Sequence, residues 1–158
     1  MFGAAPDAEP LEWSWVSDQL AAAGTYWVVS QDDLDPEADQ WPHPRPVWGV
    51  WVDLCLHLSI GSPVIRRQLG RHPNCTVHLE SGTDVVIVEG LAISDDTRET
   101  LALKAAYDAK YDWDYGIEQY GVFTRVEPDA VMAWRSIGPA GREGFSQAGR
   151  WRFPEPEY

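Results

Sequence analysis

Two pairs of strand-like runs in this chain are joined by connections too short for a crossover. Nothing else in the sequence constrains the fold as much. Residues 45–52, Arg-Pro-Val-Trp-Gly-Val-Trp-Val, are separated from the run at 54–60 by Asp53. Residues 75–80 are separated from 84–94 by Ser81, Gly82 and Thr83. Such turns suit antiparallel hairpins, whereas a parallel pair needs a connection of about a dozen residues or more. The other runs agree: a strand at 25–30, and two more at 122–127 and 131–135. Helical patterns are few and do not alternate with strands. Trp13, Val16, Leu20 and Ala23 recur at helical spacing before Gly24. Ser62 and Pro63 open a short helix at 64–71. Asp96 and Glu99 form a capping box that opens a helix running to about residue 111. This order argues against a doubly wound parallel sheet and for an antiparallel barrel with helices packed at its ends.

The remaining segments are irregular. Residues 1–9 are expected to be frayed, with Pro10 suited to a first helical turn. The stretch 31–44 carries four Asp, one Glu and three Pro, and its length points to a functional or mobile loop. Residues 138–158 are rich in Gly and Pro but end in Arg150-Trp151-Arg152-Phe153. The expected organisation is a loosely ordered 1–12, one domain over 13–153 and a tail at 154–158.

Charge narrows the function. The net charge is −13, with acidic residues spread from Asp7 to Glu157. That field repels phosphate backbones, so no nucleic-acid partner is expected, and an anionic ligand needs a local arginine cluster. Cys55 and Cys75 sit in apolar runs and read as buried, reduced thiols of a cytoplasmic protein. No apolar run approaches the roughly 18 residues of a membrane span. The first ten residues lack the basic and apolar regions of a signal peptide. His43, His57, His72 and His78 show no metal-ligand spacing, so no metal is expected. His57 and His78 are candidates for neighbouring strands. No nucleophile elbow, phosphate loop or dinucleotide fingerprint appears.

The ordered set Arg45–Asp53, Leu58-Ser59-Ile60-Gly61-Ser62, the short helix closing in His72-Pro73, Val77–Gly90, Ala109-Lys110-Tyr111, Ala133-Trp134-Arg135 and Arg150–Phe153 resembles the pyridoxamine 5′-phosphate oxidase-like family, including its flavin and deazaflavin oxidoreductase branch. The resemblance implies a mainly β (α+β) fold, an antiparallel split β-barrel of about six to seven strands with a few packed helices. It implies a homodimer with FMN, or alternatively F420, in a groove between subunits, acting on a small-molecule substrate. Arg45, Pro46, Val47 and Trp48 then run beside the cofactor, with Val47 and Trp48 lining its ring. Ser59, Ile60, Gly61, Ser62, Arg66, Arg67 and Gln68 match the stretch that holds its phosphate.

Local chemistry allows this. A helix N-terminus offers unpaired amides and a favourable dipole, and Arg66 and Arg67 are suited to fork onto phosphate oxygens. The same residues also serve a plain helix cap with solvent-facing arginines, and both readings stand at this point. Pro63–Gln68 departs from the family pattern, with Ile65 where a lysine is common and Gln68 where an asparagine is. That leaves F420 or a cofactor-free barrel open. Trp27, Trp48, Trp113 and Trp151 are candidates to stack on a flat ring, though such residues more often fill a core or an interface. The expectation is a flavin- or deazaflavin-dependent oxidoreductase with no side chain named as catalytic. The alternative is a non-catalytic barrel that carries or sequesters a flavin, haem or similar planar ligand.

Overall fold

The computed structural model describes residues 4–31 and 41–154, with side chains from residue 8. Eight strands run in chain order as β1 (Ala4–Pro10), β2 (Tyr26–Ser30), β3 (His43–Val52), β4 (Cys55–Ser59), β5 (Asn74–His78), β6 (Asp84–Ser94), β7 (Thr124–Ser136) and β8 (Phe145–Arg152). Four helices join them: α1 (Trp13–Ala22), α2 (Pro63–Arg71), α3 (Thr97–Tyr111) and α4 (Ile117–Tyr120). The sheet order is β1-β8-β7-β4-β3-β2-β5-β6, and β6 pairs back onto β7. Six antiparallel strands thus close into a barrel, which removes its open edges. β8 continues the sheet beyond β7, and β1 joins β8 in parallel.

Alternation drives the closure. Along β6, Val86, Val88, Gly90 and Ala92 face inward, while Glu89 and Leu91 face out. Inside the barrel Tyr26, Val28, Leu56, Leu58, Val77 and Val126 meet Val16 and Leu20 of α1 and Ile65 and Leu69 of α2. A second cluster lies outside the barrel wall, under α3: Val50, Tyr107, Tyr115 and Phe123. This outer cluster positions the candidate site.

The β3–β4 hairpin turns on Asp53 and Leu54, at φ 50° and 61°, the left-handed pair a tight hairpin needs. β7 is one long strand rather than the two the sequence predicts. Its pairing slips where Glu89 faces Ala130 but Gly90 faces Pro128, so Asp129 is a bulge residue that absorbs the proline. A Cβ on Gly90 would lie 2.4 Å from the Glu127 carbonyl oxygen, so the backbones touch there.

The amino end also differs from expectation. Residues 4–10 form β1 instead of fraying, with Pro10 opposite Ala148, and the first helix begins at Trp13. β8 was hidden by the Gly- and Pro-rich composition of its surroundings. Most of the acidic loop expected at 31–44, and the residues at 155–158, lie outside the described residues.

Candidate functional site

Strand register builds one wall of a cleft. Trp48 on β3 pairs with Ser59 at the end of β4. This sets Arg45, Pro46, Val47 and Trp48 beside Ser59, Ile60, Gly61 and Ser62 around a cavity of about 410 Å³. Tyr107 of α3, Trp113, Tyr115 and Tyr120 of α4 form the facing wall. That volume is within the usual range of small-molecule sites, roughly 300–1,000 Å³.

The wall is aromatic and mutually braced. Trp48 is 42% exposed. It stacks on Tyr111 at 4.5 Å with planes 3° apart, and meets Trp113 edge-on at 5.9 Å. Tyr115 packs against Tyr107 and Tyr120 at 5.0 and 5.5 Å. The backbone at Gly49 is locked from behind. Its N–H donates to the Tyr111 hydroxyl at 2.9 Å, and its carbonyl accepts from Lys110 Nζ at 2.9 Å. A Cβ on Gly49 would lie 2.6 Å from the His57 carbonyl oxygen. β3 and β4 therefore approach closely just behind Trp48.

Polar groups in the cleft are mainly neutral. The Ser59 hydroxyl lies beside those of Tyr107 and Tyr115 and favours their ionised forms. Burial pushes the Tyr107 phenol up to about 12, with the Ser59 hydrogen bond opposing it, and burial likewise raises Tyr115. Both are protonated hydroxyls at neutral pH. The Tyr115 hydroxyl donates to the Gly121 carbonyl at 2.8 Å. Behind the wall, burial lowers Lys110 to about 8 while its Nζ donates to the Tyr26 hydroxyl at 2.8 Å. Arg45 is the one charged residue among the described residues lining the cleft, and its Nη1 donates to the Pro44 carbonyl at 2.8 Å.

The structure brings eight of the eleven expected cofactor residues to this cleft and places three elsewhere. Arg66 donates to three carbonyls: Ile60 at 2.6 Å, Tyr120 at 3.3 Å and Val122 at 3.0 Å. Its guanidinium ties α2 to the end of β4 and to the α4 segment. Arg67 is exposed on α2, outside the lining. Gln68 is buried, and its side-chain oxygen accepts from the Ser30 hydroxyl at 2.7 Å. The tip of α2 is likewise occupied. Ser62 Oγ accepts from Ile65 N–H at 3.3 Å and Pro63 has no N–H, so of the first three helical residues only Val64 keeps a free amide.

The other candidates for ring stacking lie elsewhere. Trp27 stacks on His78 at 6.2 Å, and Trp151 packs on Trp13 at 5.3 Å. His57 and His78 are not on neighbouring strands, because β4 lies between β3 and β7 while β5 lies between β2 and β6. His57 Nδ1 instead lies 2.6 Å from Asp95, whose other oxygen accepts from Arg125 at 2.9 Å. Trp113, Tyr115 and Tyr120 share the aromatic stretch Asp-Trp-Asp-Tyr-Gly-Ile-Glu-Gln-Tyr-Gly at 112–121, whose first four residues resemble a loop near the groove in the family. Tyr107 carried no separate signal, since a tyrosine on a helix stripe reads equally as core.

A larger cavity of about 720 Å³ crosses β2, β5, β6 and the β7 bulge. Glu89, Glu127 and Asp129 line it, and these carboxylates oppose an electron-rich or anionic ring. The aromatic cleft is the better candidate for such a ligand.

Solved structures share this architecture. A conserved hypothetical protein from Mycobacterium tuberculosis superposes with a TM-score of 0.66 at 16% identity, covering 86% of this chain and 97% of that one. An FAD-binding protein from Mesorhizobium loti gives 0.59 at 16% identity, covering 77% and 92%. A candidate pyridoxamine 5′-phosphate oxidase from Listeria innocua gives 0.56 at 14% identity, covering 76% and 93%. No family model matches the chain, and no curated protein matches it. The barrel and its added strands thus have the split-barrel fold of pyridoxamine 5′-phosphate oxidase-like, flavin-binding proteins.

Proposed function

We propose that this protein is a flavin-dependent oxidoreductase of the pyridoxamine 5′-phosphate oxidase-like kind, with FMN as its cofactor and F420 as the alternative. One observation carries the reading. The cleft that β3, the end of β4 and the tip of α2 define is walled by aromatic rings and is about the size of a flat heterocycle. Proteins of this fold include flavin binders. A bound flavin would supply the hydride chemistry. Trp48 would hold the ring while Val47, whose side chain belongs to the barrel core, would present only its backbone; the Ser59, Tyr107 and Tyr115 hydroxyls would orient its polar edge, and Trp113 and Tyr120 would exclude water. Arg45 would face the anionic end of the tail. In the same reading the protein acts as a homodimer in the cytoplasm on a small-molecule substrate.

A second reading is a barrel that binds a flavin or similar planar ligand without turning it over. It draws on a specific observation: the described lining holds no carboxylate, histidine or thiol to exchange protons with a substrate.

The visible spectrum of the purified protein, followed by titration with FMN and with F420, tests both readings. A bound cofactor that NAD(P)H reduces, or that passes hydride to an acceptor, supports the enzyme. Binding without turnover supports the carrier. If neither cofactor binds, both readings fall.

A further inference from the structure

Building on the flavin reading, we infer that the cleft recognises its ligand as an aromatic ring and gains little from a phosphate on the ligand's tail. The argument begins with the donors a phosphate needs. A phosphate dianion is held by helix N-terminal amides and by guanidinium forks. Here the α2 tip has little left to offer: Ser62 caps Ile65 N–H and Pro63 has none, which leaves Val64 as the one free amide of the first three helical residues. The arginine nearest the tip, Arg66, already donates to the carbonyls of Ile60, Tyr120 and Val122. A Cβ on Gly121 would lie 2.8 Å from its Nη2, so the loop backbone hems the guanidinium in. Redirecting it toward a ligand would strand three carbonyl acceptors.

Arg45 remains, on the rim, with one contact to its neighbour's carbonyl, and Arg67 is exposed on α2 outside the cleft lining. Such exposed arginines give a modest, salt-screened attraction, and it works against a chain of net charge −13. The ring side of the cleft is the opposite case. Trp48 is pinned by Tyr111 and Trp113, so little side-chain entropy remains to be lost when a flat ligand docks. The neutral hydroxyls of Ser59, Tyr107 and Tyr115 match the polar edge of a heterocycle without requiring charge. The ligand class this favours is a planar heteroaromatic ring with little or no net charge near the α2 tip.

The test compares riboflavin and FMN, which share one ring and differ by the phosphate. Both are titrated with the full-length protein at two salt concentrations, with binding read from the quenching of flavin fluorescence. The expected result is dissociation constants within about fivefold of each other, with only a small gain for FMN at low salt that an Arg45→Ala variant loses. Trp48→Ala should weaken both ligands together by roughly tenfold or more, as loss of a stacking partner does. FMN binding about a hundredfold tighter than riboflavin would overturn the inference, because two charge-assisted hydrogen bonds are worth that much; the flavin reading would stand. Failure of either flavin to bind would overturn the flavin reading itself, and this inference with it.

Discussion

Replacing Arg66 with methionine separates its two possible jobs. The substitution keeps a long apolar stem against α2 and removes the guanidinium that serves the Ile60, Tyr120 and Val122 carbonyls. A hydrogen bond to a charged group contributes about 1.5–3 kcal/mol. The three share one partly buried guanidinium, and water can reach part of the site, so the total comes to about 3 kcal/mol. At roughly 2–4 °C per kcal/mol for a domain of this size, the melting temperature should fall by about 6–12 °C. Thermal and urea unfolding, followed by tryptophan fluorescence, would measure it. Ring affinity, measured well below the transition, should change little. Gly121→Ala should cost a comparable amount, since it forces a Cβ toward the guanidinium at a φ of 81°. The reasoning is refuted if Arg66→Met melts within about 1 °C of the parent while FMN affinity drops more than tenfold; the arginine would then be a ligand group.

Other predictions concern groups away from the cleft. Asp95 is fully buried between His57 and Arg125, so Asp95→Ala should cost about 1–3 kcal/mol by leaving buried His57 without its partner, while Arg125 keeps Glu99 and Glu127; a loss under ~0.5 kcal/mol in urea unfolding would contradict that. Lys110 is lowered to about 8 by burial, so between about pH 8 and its unfolded value near 10.5 the unfolded chain binds the extra proton. This group should therefore make stability rise with pH across that window. Lys110→Met should remove that rise, and parallel pH profiles for the two proteins would refute it. Burial pushes Cys75 up to about 12 and also raises Cys55. At pH 8 a thiol reagent should react slowly with half-buried Cys55 and reach Cys75 only on unfolding; fast labelling of native Cys75 would disprove its burial.

Local signals made much of the fold legible. The short turns named the hairpins, and Ser62 and the Asp96–Glu99 box marked two helix starts that the structure keeps. What stayed hidden depends on partners distant in sequence. β1 becomes a strand only because β8 offers it an edge. Pro128 looks like a break until Gly90 makes room for a bulge opposite it. The β3 and β4 side of the cleft could be read from its residues, since strand register fixes neighbours. The aromatic wall could not, because Tyr107, Tyr115 and Tyr120 meet only when α3 and the following loop fold over Val50. Arg66 shows the reverse case. Its position on a helix tip suggests a ligand contact, and only the tertiary structure reveals the three carbonyls it donates to.

Amide hydrogen exchange with and without saturating FMN locates the ligand without presuming its chemistry. Slowed exchange should appear at residues 45–48, 59–62 and 107–120, the two walls of the aromatic cleft. Protection confined to residues 74–76, 89–91 and 127–129, which border the acidic cavity, would contradict the assignment of this cleft as the flavin site.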